Sequence, residues 1–431
     1  MKRYMASFLW LCFTLWAAGP CLAASPLPSV TLEECQKQAT LHYPQVQQYG
    51  LIEQARAYSL ENAGKGYLPR FTLSGRASYQ SEVTEMPVAI PGLDGVNRAQ
   101  YQVVAEVNQT VWDGGDIRAR KRVVEAAAEV DLRKNEVDLY ALRDRVNQLY
   151  FGILLMHEYL SQNLLLEEDL RVYREKMEQW MNNGWANQSD VDVVAVEQLR
   201  TRQKRTELEH TLTAYREMLG VFTGMDLSGA VTLQRPSALL PSESLSFTGR
   251  NARPEIKWFD AQSALFERQE ATLSAAIRPR VSVFLQGGVG NPGLDMLRGR
   301  NALFYISGAR LSWNLGGWYT LKNDHAQLRL EREKIVSRKE TFLFNNHLEV
   351  TRVRSELEKY REQMQRDQEI IELRRNILRA TGAKVENGVL SATDLIREMN
   401  AESLAISERS LHEIQYLKAV WEFRNTLNME P

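Results

Sequence analysis

The placement of proline limits this chain more than any other feature. Thirteen prolines occur in 431 residues, yet none lies between Pro91 and Pro236 and none between Pro292 and Pro431. Proline inside a helix removes a hydrogen bond and clashes with the preceding turn, at a cost of about 3 kcal/mol. Two long proline-free tracts therefore predict two very long helices, over 116–183 and 318–387. Within them the only glycines are Gly152 and Gly382. At a rise of about 1.5 Å per residue, each rod spans roughly 100 Å. In the second rod apolar residues keep a near-seven spacing: Leu321, Leu328, Ile335, Phe342, then Val350, Val353, Leu357, Tyr360, Met364, Ile371 and Leu378. That spacing marks a coiled-coil seam. Charges fill the remaining positions, so the rods require lateral partners. Returning helices over 190–222 and 394–427 are about half as long. A full rod must then pair with two shorter helices stacked end to end, a returning one and an opening one, the latter predicted over 31–67 and 254–278.

The chain also repeats itself. Pro69 and Pro279 are each followed by Arg and an alternating segment, PRFTLSGRASY and PRVSVFLQGGV. VWDGG at 111–115 matches WNLGG at 313–317, and NGWANQSDV from Asn183 matches NGVLSATDL from Asn387. The landmarks recur in order, so the two halves are read as an internal duplication. The division is a signal peptide over 1–23, a first repeat over 24–229, a linker over 230–252 and a second repeat over 253–431. Each repeat runs helix, strand, glycine-rich loop, strand, long helix, turn, helix.

The strands show a period of two. Phe71, Leu73, Gly75, Ala77 and Tyr79 alternate with Arg70, Thr72, Ser74, Arg76, Ser78 and Gln80. Tyr101, Val103, Ala105, Val107 and Val111 alternate with Gln102, Glu106, Asn108 and Thr110. The second half repeats the pattern with Val281, Val283, Leu285 and Val289, then Leu303, Tyr305, Ala309, Leu311 and Trp313. Strand lengths of about 10 residues match those needed to cross a bilayer as tilted β-strands. Gly287, Gly288, Gly290 and Gly293 are read as an extracellular hairpin loop; Pro292 and the absence of a following helix argue against a phosphate-binding loop.

At the N-terminus Lys2 and Arg3 precede an apolar run over 5–18, and Cys21, Leu22 and Ala23 supply a small-x-small cleavage pattern. This is the layout of a secretory signal peptide, too short for a spanning helix. Pro20 directly before Cys21 gives a poor lipidation sequence. After cleavage only Cys35 remains, read as a small buried apolar residue. A formal net charge of -1 excludes nucleic-acid binding by bulk positive charge. Three cysteines without a CxxC pair exclude a disulfide scaffold or cysteine zinc site. The six histidines are scattered without metal-ligand spacing, and no catalytic constellation stands out, so neither an enzyme nor a cofactor is expected.

Four strands with one apolar and one polar face cannot close alone, and open edges in lipid leave backbone groups unsatisfied. Three copies of a four-stranded unit make 12 strands, enough for a water-filled lumen lined by Arg76, Gln80, Gln102, Glu106 and Arg310. At this point the chain resembles the TolC-like outer-membrane efflux proteins (outer membrane factors) over its whole mature length. The resemblance rests on the duplicated element order, the proline before each first strand, the Gly-Gly ending each second strand, and the tip motifs Gly184 to Asp190 and Gly388 to Asp394. It implies an α+β membrane protein: a homotrimer with a 12-stranded β-barrel in the outer membrane, continued by a 12-helix periplasmic α-barrel. It further implies an exit duct docked to a periplasmic adaptor (membrane fusion) protein and an inner-membrane transporter.

The lipid-facing residues would be Phe71, Leu73, Tyr79, Tyr101, Val103, Val107, Val281, Val283, Leu303, Tyr305, Leu311 and Trp313. The resemblance assigns adaptor contact to the tips, here Gly184, Trp185 and Ala186 with Gly388, Val389 and Leu390. It places aspartates near the second tip at the periplasmic constriction. Asp394 matches the first of these and Asp190 is its counterpart in the first repeat. Arg397 stands where a second acid would fall, and Leu390 and Val385 stand at the family's gating Arg and Tyr positions. Ser189 and Thr393 are read as helix N-caps beside these aspartates, with Ser189 and Asp192 resembling a capping box. The competing reading is a soluble periplasmic coiled-coil scaffold or chaperone in which the strands form a small capping sheet. Cargo, whether drug, metal or protein, is not written in the sequence.

Overall fold

The computed structural model describes residues 29–84, 96–229, 231–237, 252–296 and 299–429. The expected signal peptide, Cys21 and most of the 230–252 linker lie outside them. A short strand β1 (Ser29–Val30) leads into α1 (Leu32–His42) and, after a 3-10 turn at Pro44–Gln47, α2 (Gln48–Gly64). Strands β2 (Arg70–Tyr79) and β3 (Ala99–Trp112) follow, then α3 (Asp116–Tyr140), α4 (Leu142–Asn182) and α5 (Gln188–Thr223). Strand β4 (Thr232–Leu233) precedes the second half: α6 (Pro254–Ala276), β5 (Arg280–Asn291), β6 (Ala302–Ser312), α7 (Trp318–Glu386) and α8 (Ala392–Leu427). The halves carry the same element order, and α5 and α8 are both 36 residues long.

The second rod is one unbroken helix of 69 residues. Its seam faces inward as the near-seven spacing requires: Ile335, Val353, Leu357 and Ile371 are buried. The first rod has one local irregularity, at Ala141, where the backbone stays right-handed helical (φ −63°, ψ −18°) and the N–H still donates to Val137 O at 3.2 Å, so α3 and α4 run on as one rod. At that level α6 begins and α8 ends. The Tyr140 hydroxyl donates to Asn425 O at 2.5 Å, Arg253 and Arg143 both stack on the Tyr140 ring at 4.7 Å, and Asn425 Nδ2 donates to Asp144 at 3.1 Å. The irregularity therefore coincides with a crowded hand-over between neighbouring helices. The opening helix of the first half is divided, because Pro44 interrupts it.

The shorter helices stack as the rods demand. Below α2 sits the end of α5, with Tyr43 and Phe222 rings stacked at 6.3 Å. Below α6 sits the end of α8, with Asn428 Nδ2 donating to Ala252 O at 2.9 Å. The first rod packs against α2 and α5 on one side and α6 and α8 on the other, and α7 covers the far side of α6 and α8. Two buried clusters hold the bundle. A central one gathers Leu32, Cys35 and Ala39 of α1, Val146, Tyr150 and Phe151 of α4, Leu219 of α5, Val353 of α7 and Phe423 of α8. Burial pushes the Cys35 thiol up to about 12, so it is a packed apolar group, as expected from its lone occurrence. The second cluster lies at the tips: Leu170, Tyr173 and Met177 with Val191, Val194, Val385, Leu395 and Met399. β1 and β4 form a small parallel pair beside the central cluster.

Strands β2, β3, β5 and β6 form one antiparallel sheet in that order. Its edges, β2 and β6, are open in the single chain.

Candidate functional site: one open sheet and two helical tips

Residues opposite one another in an antiparallel pair share a face. The register aligns Leu73, Ala105, Gly287 and Tyr305 across all four strands, and likewise Gly75, Val103, Val289 and Leu303. Phe71 pairs with Val107, Ala77 with Tyr101, and Val281 with Leu311. The alternation read from the sequence is thus one continuous face across both halves. It carries no charged side chain, and it is bare: Phe71 is 79% exposed, Leu73 77% and Leu303 87%. Trp313 follows directly after β6 and is exposed.

Two details differ from expectation. A bulge between Thr110 and Trp112 shifts the register, so that Trp112 rather than Val111 pairs with Val281 on the apolar face. A period-two pattern cannot show an inserted residue. Gly287, Gly288 and Gly290 are not in a loop; they lie inside β5, and only Gly293 falls beyond it. At Gly288 a Cβ would stand 2.6 Å from Val103 O and 2.9 Å from the Phe304 ring, so the glycine admits an aromatic side chain from the neighbouring strand.

The opposite face holds Arg76, Gln102, Glu106 and Arg310 as expected. Glu106 accepts from Gln286 Nε2 at 2.7 Å and lies 4.0 Å from Arg310. The same face also carries Phe284, Phe304 and Ile306, which the sequence reading did not include.

At the far end the two turns are built alike. Gly184 has φ +78° and Gly388 φ +73°, the left-handed region that glycine enters without strain. Trp185 N–H donates to Trp180 O and Val389 N–H to Lys384 O, both at 2.8 Å. Gly184 N–H reaches Met181 O and Gly388 N–H reaches Val385 O, both at 3.0 Å. These bonds satisfy the last carbonyls of α4 and α7. Beyond them Trp185 is 78% exposed, Val389 68% and Leu390 36%, while Ala186 is half-buried. The tips therefore end in apolar side chains on open turns, held from behind by the tip cluster.

The returning helices begin two residues earlier than predicted. Their N-caps are Asn187 and Ser391, not Ser189 and Thr393. Asp190 and Asp394 are the third residues of their helices, and each carboxylate reaches back to accept its cap's backbone N–H, at 3.0 Å and 3.1 Å. Asp394 also accepts from the Ser391 hydroxyl at 2.8 Å and lies 3.4 Å from Arg397. The Ser391 hydrogen bonds hold its carboxyl below the usual carboxylate range, so it stays charged throughout the neutral region. Recognition of the caps was possible from the spacing Asn-x-x-Asp and Ser-x-x-Asp, a variant of the capping box with Asp in place of Glu. Among the described residues no cluster of potential metal ligands occurs, and no helix is long and apolar enough to cross a membrane.

No family model and no curated protein matches the sequence. Solved structures do. The outer membrane protein VceC from Vibrio cholerae superposes with a TM-score of 0.67 at 13% identity, over 92% of this chain and 95% of that one. The outer-membrane channel OprN gives 0.69 at 16% identity, over 93% and 90%. The open state of the Neisseria gonorrhoeae MtrE outer membrane channel gives 0.64 at 12% identity, over 92% and 88%. The chain has the fold of the outer-membrane-factor channels. The matches run nearly end to end in both directions.

Proposed function

We propose that this protein is an outer-membrane channel, the exit duct of a tripartite efflux or secretion system, acting as a homotrimer. The observation that carries the reading is the sheet: four strands, one wholly uncharged exposed face, two open edges, and a root in helices of roughly 100 Å. Three copies close the edges into a 12-stranded barrel in the outer membrane. The helices continue as a periplasmic tunnel, and cargo passes through without chemistry. A soluble scaffold has no use for Phe71, Leu73, Tyr101, Leu303, Tyr305 and Leu311 bare on one face, so the exposed belt favours the channel.

The tips supply the periplasmic contacts. Trp185 and Ala186, with Val389 and Leu390, meet a periplasmic adaptor that couples the duct to an inner-membrane transporter. Gly184 and Gly388 keep the turns tight and free of side chains. A bulky residue at Gly388 costs about 1–2 kcal/mol for the left-handed backbone and blocks close approach. Gly388→Trp is expected to lower adaptor cross-linking several-fold while trimers persist; undiminished cross-linking would remove this tip from the docking site.

Asp190 and Asp394 form a ring of carboxylates at the tunnel mouth, two from each copy. The Ser391 hydrogen bonds that make Asp394 a cap also favour its charged form, so at that position both roles are compatible. Such a ring favours cations. The functional test is conductance in planar bilayers: wild-type protein is expected to conduct with a cation preference set at the tip, and Asp394→Arg to shift the reversal potential toward anions. An Asp394→Arg channel with unchanged currents would leave Asp394 as a helix cap alone.

A further inference from the structure

The face of the sheet opposite the apolar belt combines positive charge with aromatic surface. Four of its residues are arginines, Arg70, Arg76, Arg280 and Arg310, against the single acid Glu106. Glu106 is already engaged by Gln286, Asn108 and Arg310. Arg280 lies 3.3 Å from Asp116. Arg70 and Arg76 are exposed and form no ion pair among the described residues.

Between the levels of Arg76 and Arg310 lie three rows that carry Phe304, Ile306 and Phe284, and Arg70 stands in the last of them. The register places Val104, Gly288 and Phe304 in one row, Glu106, Gln286 and Ile306 in the next, and Asn108, Phe284 and Gly308 in the third. Each phenylalanine lies over a glycine of the adjacent strand: a Cβ at Gly288 would stand 2.9 Å from the Phe304 ring, and one at Gly308 3.1 Å from that of Phe284. Arg310 stacks on Phe284 at 4.9 Å. Phe304 and Ile306 belong to β6 and Arg70 and Arg76 to β2, the two open edges. Closing the sheet with further copies sets the apolar side chains of one edge beside the arginines of another.

We propose that this face binds organic anions with an apolar body. The ring or chain lies on Phe284, Phe304 and Ile306, and the anionic group meets Arg70 and Arg76 across the closed edge. Purely inorganic anions would gain the charge contact alone, and apolar cations the stacking alone. The inference rests on the channel reading, which turns this face toward the lumen.

The test uses full-length protein in planar bilayers, with naphthalenesulfonate and naphthylmethylammonium as probes of like ring and opposite charge. Added on the barrel side, the sulfonate is expected to block current at concentrations about tenfold lower than the cation. Arg70→Gln with Arg76→Gln should abolish that difference, and the Lys pair should retain most of it. Phe304→Ala should weaken block by naphthalenesulfonate while leaving the effect of inorganic sulfate unchanged. Equal block by the two probes, or a Gln pair that blocks like wild type, would overturn the inference while leaving the channel intact. Absence of current in every variant would overturn the channel reading and this inference together.

Discussion

Replacing Leu73 with Arg is expected to empty the outer-membrane fraction of this protein, whereas Thr72→Arg, one residue away, leaves it in place. Leu73 sits at mid-strand in β2, in a row with Ala105, Gly287 and Tyr305 on the uncharged face, and is 77% exposed in the single chain. An arginine at the bilayer midplane of a barrel costs about 2–4 kcal/mol, and a symmetric trimer incurs that cost in every copy. Thr72 lies in the row of Glu106, Gln286 and Ile306 on the opposite face, where an arginine meets water and a carboxylate. Quantifying both variants in outer-membrane preparations separates the readings. A soluble sheet would treat the two substitutions alike, or tolerate Leu73→Arg better.

Tyr150 is the second site of large expected effect. It is fully buried in the central cluster, edge-on to Phe151 at 6.1 Å. Its hydroxyl lies 2.9 Å from Val30 O and 2.6 Å from Gln234 O, the carbonyls at the ends of β1 and β4. One side chain therefore joins the start of the described chain, the first rod and the segment leading to the second half. Tyr150→Ala is expected to cost about 3–5 kcal/mol for the cavity. Tyr150→Phe isolates the hydroxyl, whose one proton can serve only one of the two carbonyls at a time; Val30 O keeps the Gln234 N–H at 3.1 Å, so the loss falls on Gln234 O and costs about 1–3 kcal/mol. Thermal or urea unfolding of the detergent-solubilised protein should rank wild type above Phe and Phe above Ala. A Phe variant as stable as wild type would show that the hydroxyl bridge contributes nothing.

The long-range plan was legible because it rests on exclusions and periods. Proline-free tracts announced the rods, the near-seven spacing announced the inward face of α7, and glycine pairs and Asn-Gly turns marked the matching element order of the two halves. Strand alternation identified one apolar face, and the register joined the strands as that alternation required. Local departures were hidden. The irregularity at Ala141 has no glycine or proline to mark it, and the contacts beside it, of Tyr140 with Asn425 and Arg253, meet only in three dimensions. The bulge before Trp112 inserts one residue into an otherwise regular pattern. The β5 glycines read as a loop because their purpose, admitting Phe304 across the strand, depends on a partner far along the chain. The caps at Asn187 and Ser391 were obscured by Ser189 and Thr393, which sit closer to the aspartates but already within the helices. At the tips the turn glycines and exposed apolar residues fall where the spacing put them.

Everything functional depends on the open sheet closing with identical copies. The direct measurement is electron microscopy of the full-length protein extracted in mild detergent, with its mass determined in the same preparation. The closure predicts a hollow, elongated particle with threefold symmetry, a detergent belt around one end only, and a mass of three chains. A particle with the mass of one chain, without a lumen or a detergent belt, would contradict it.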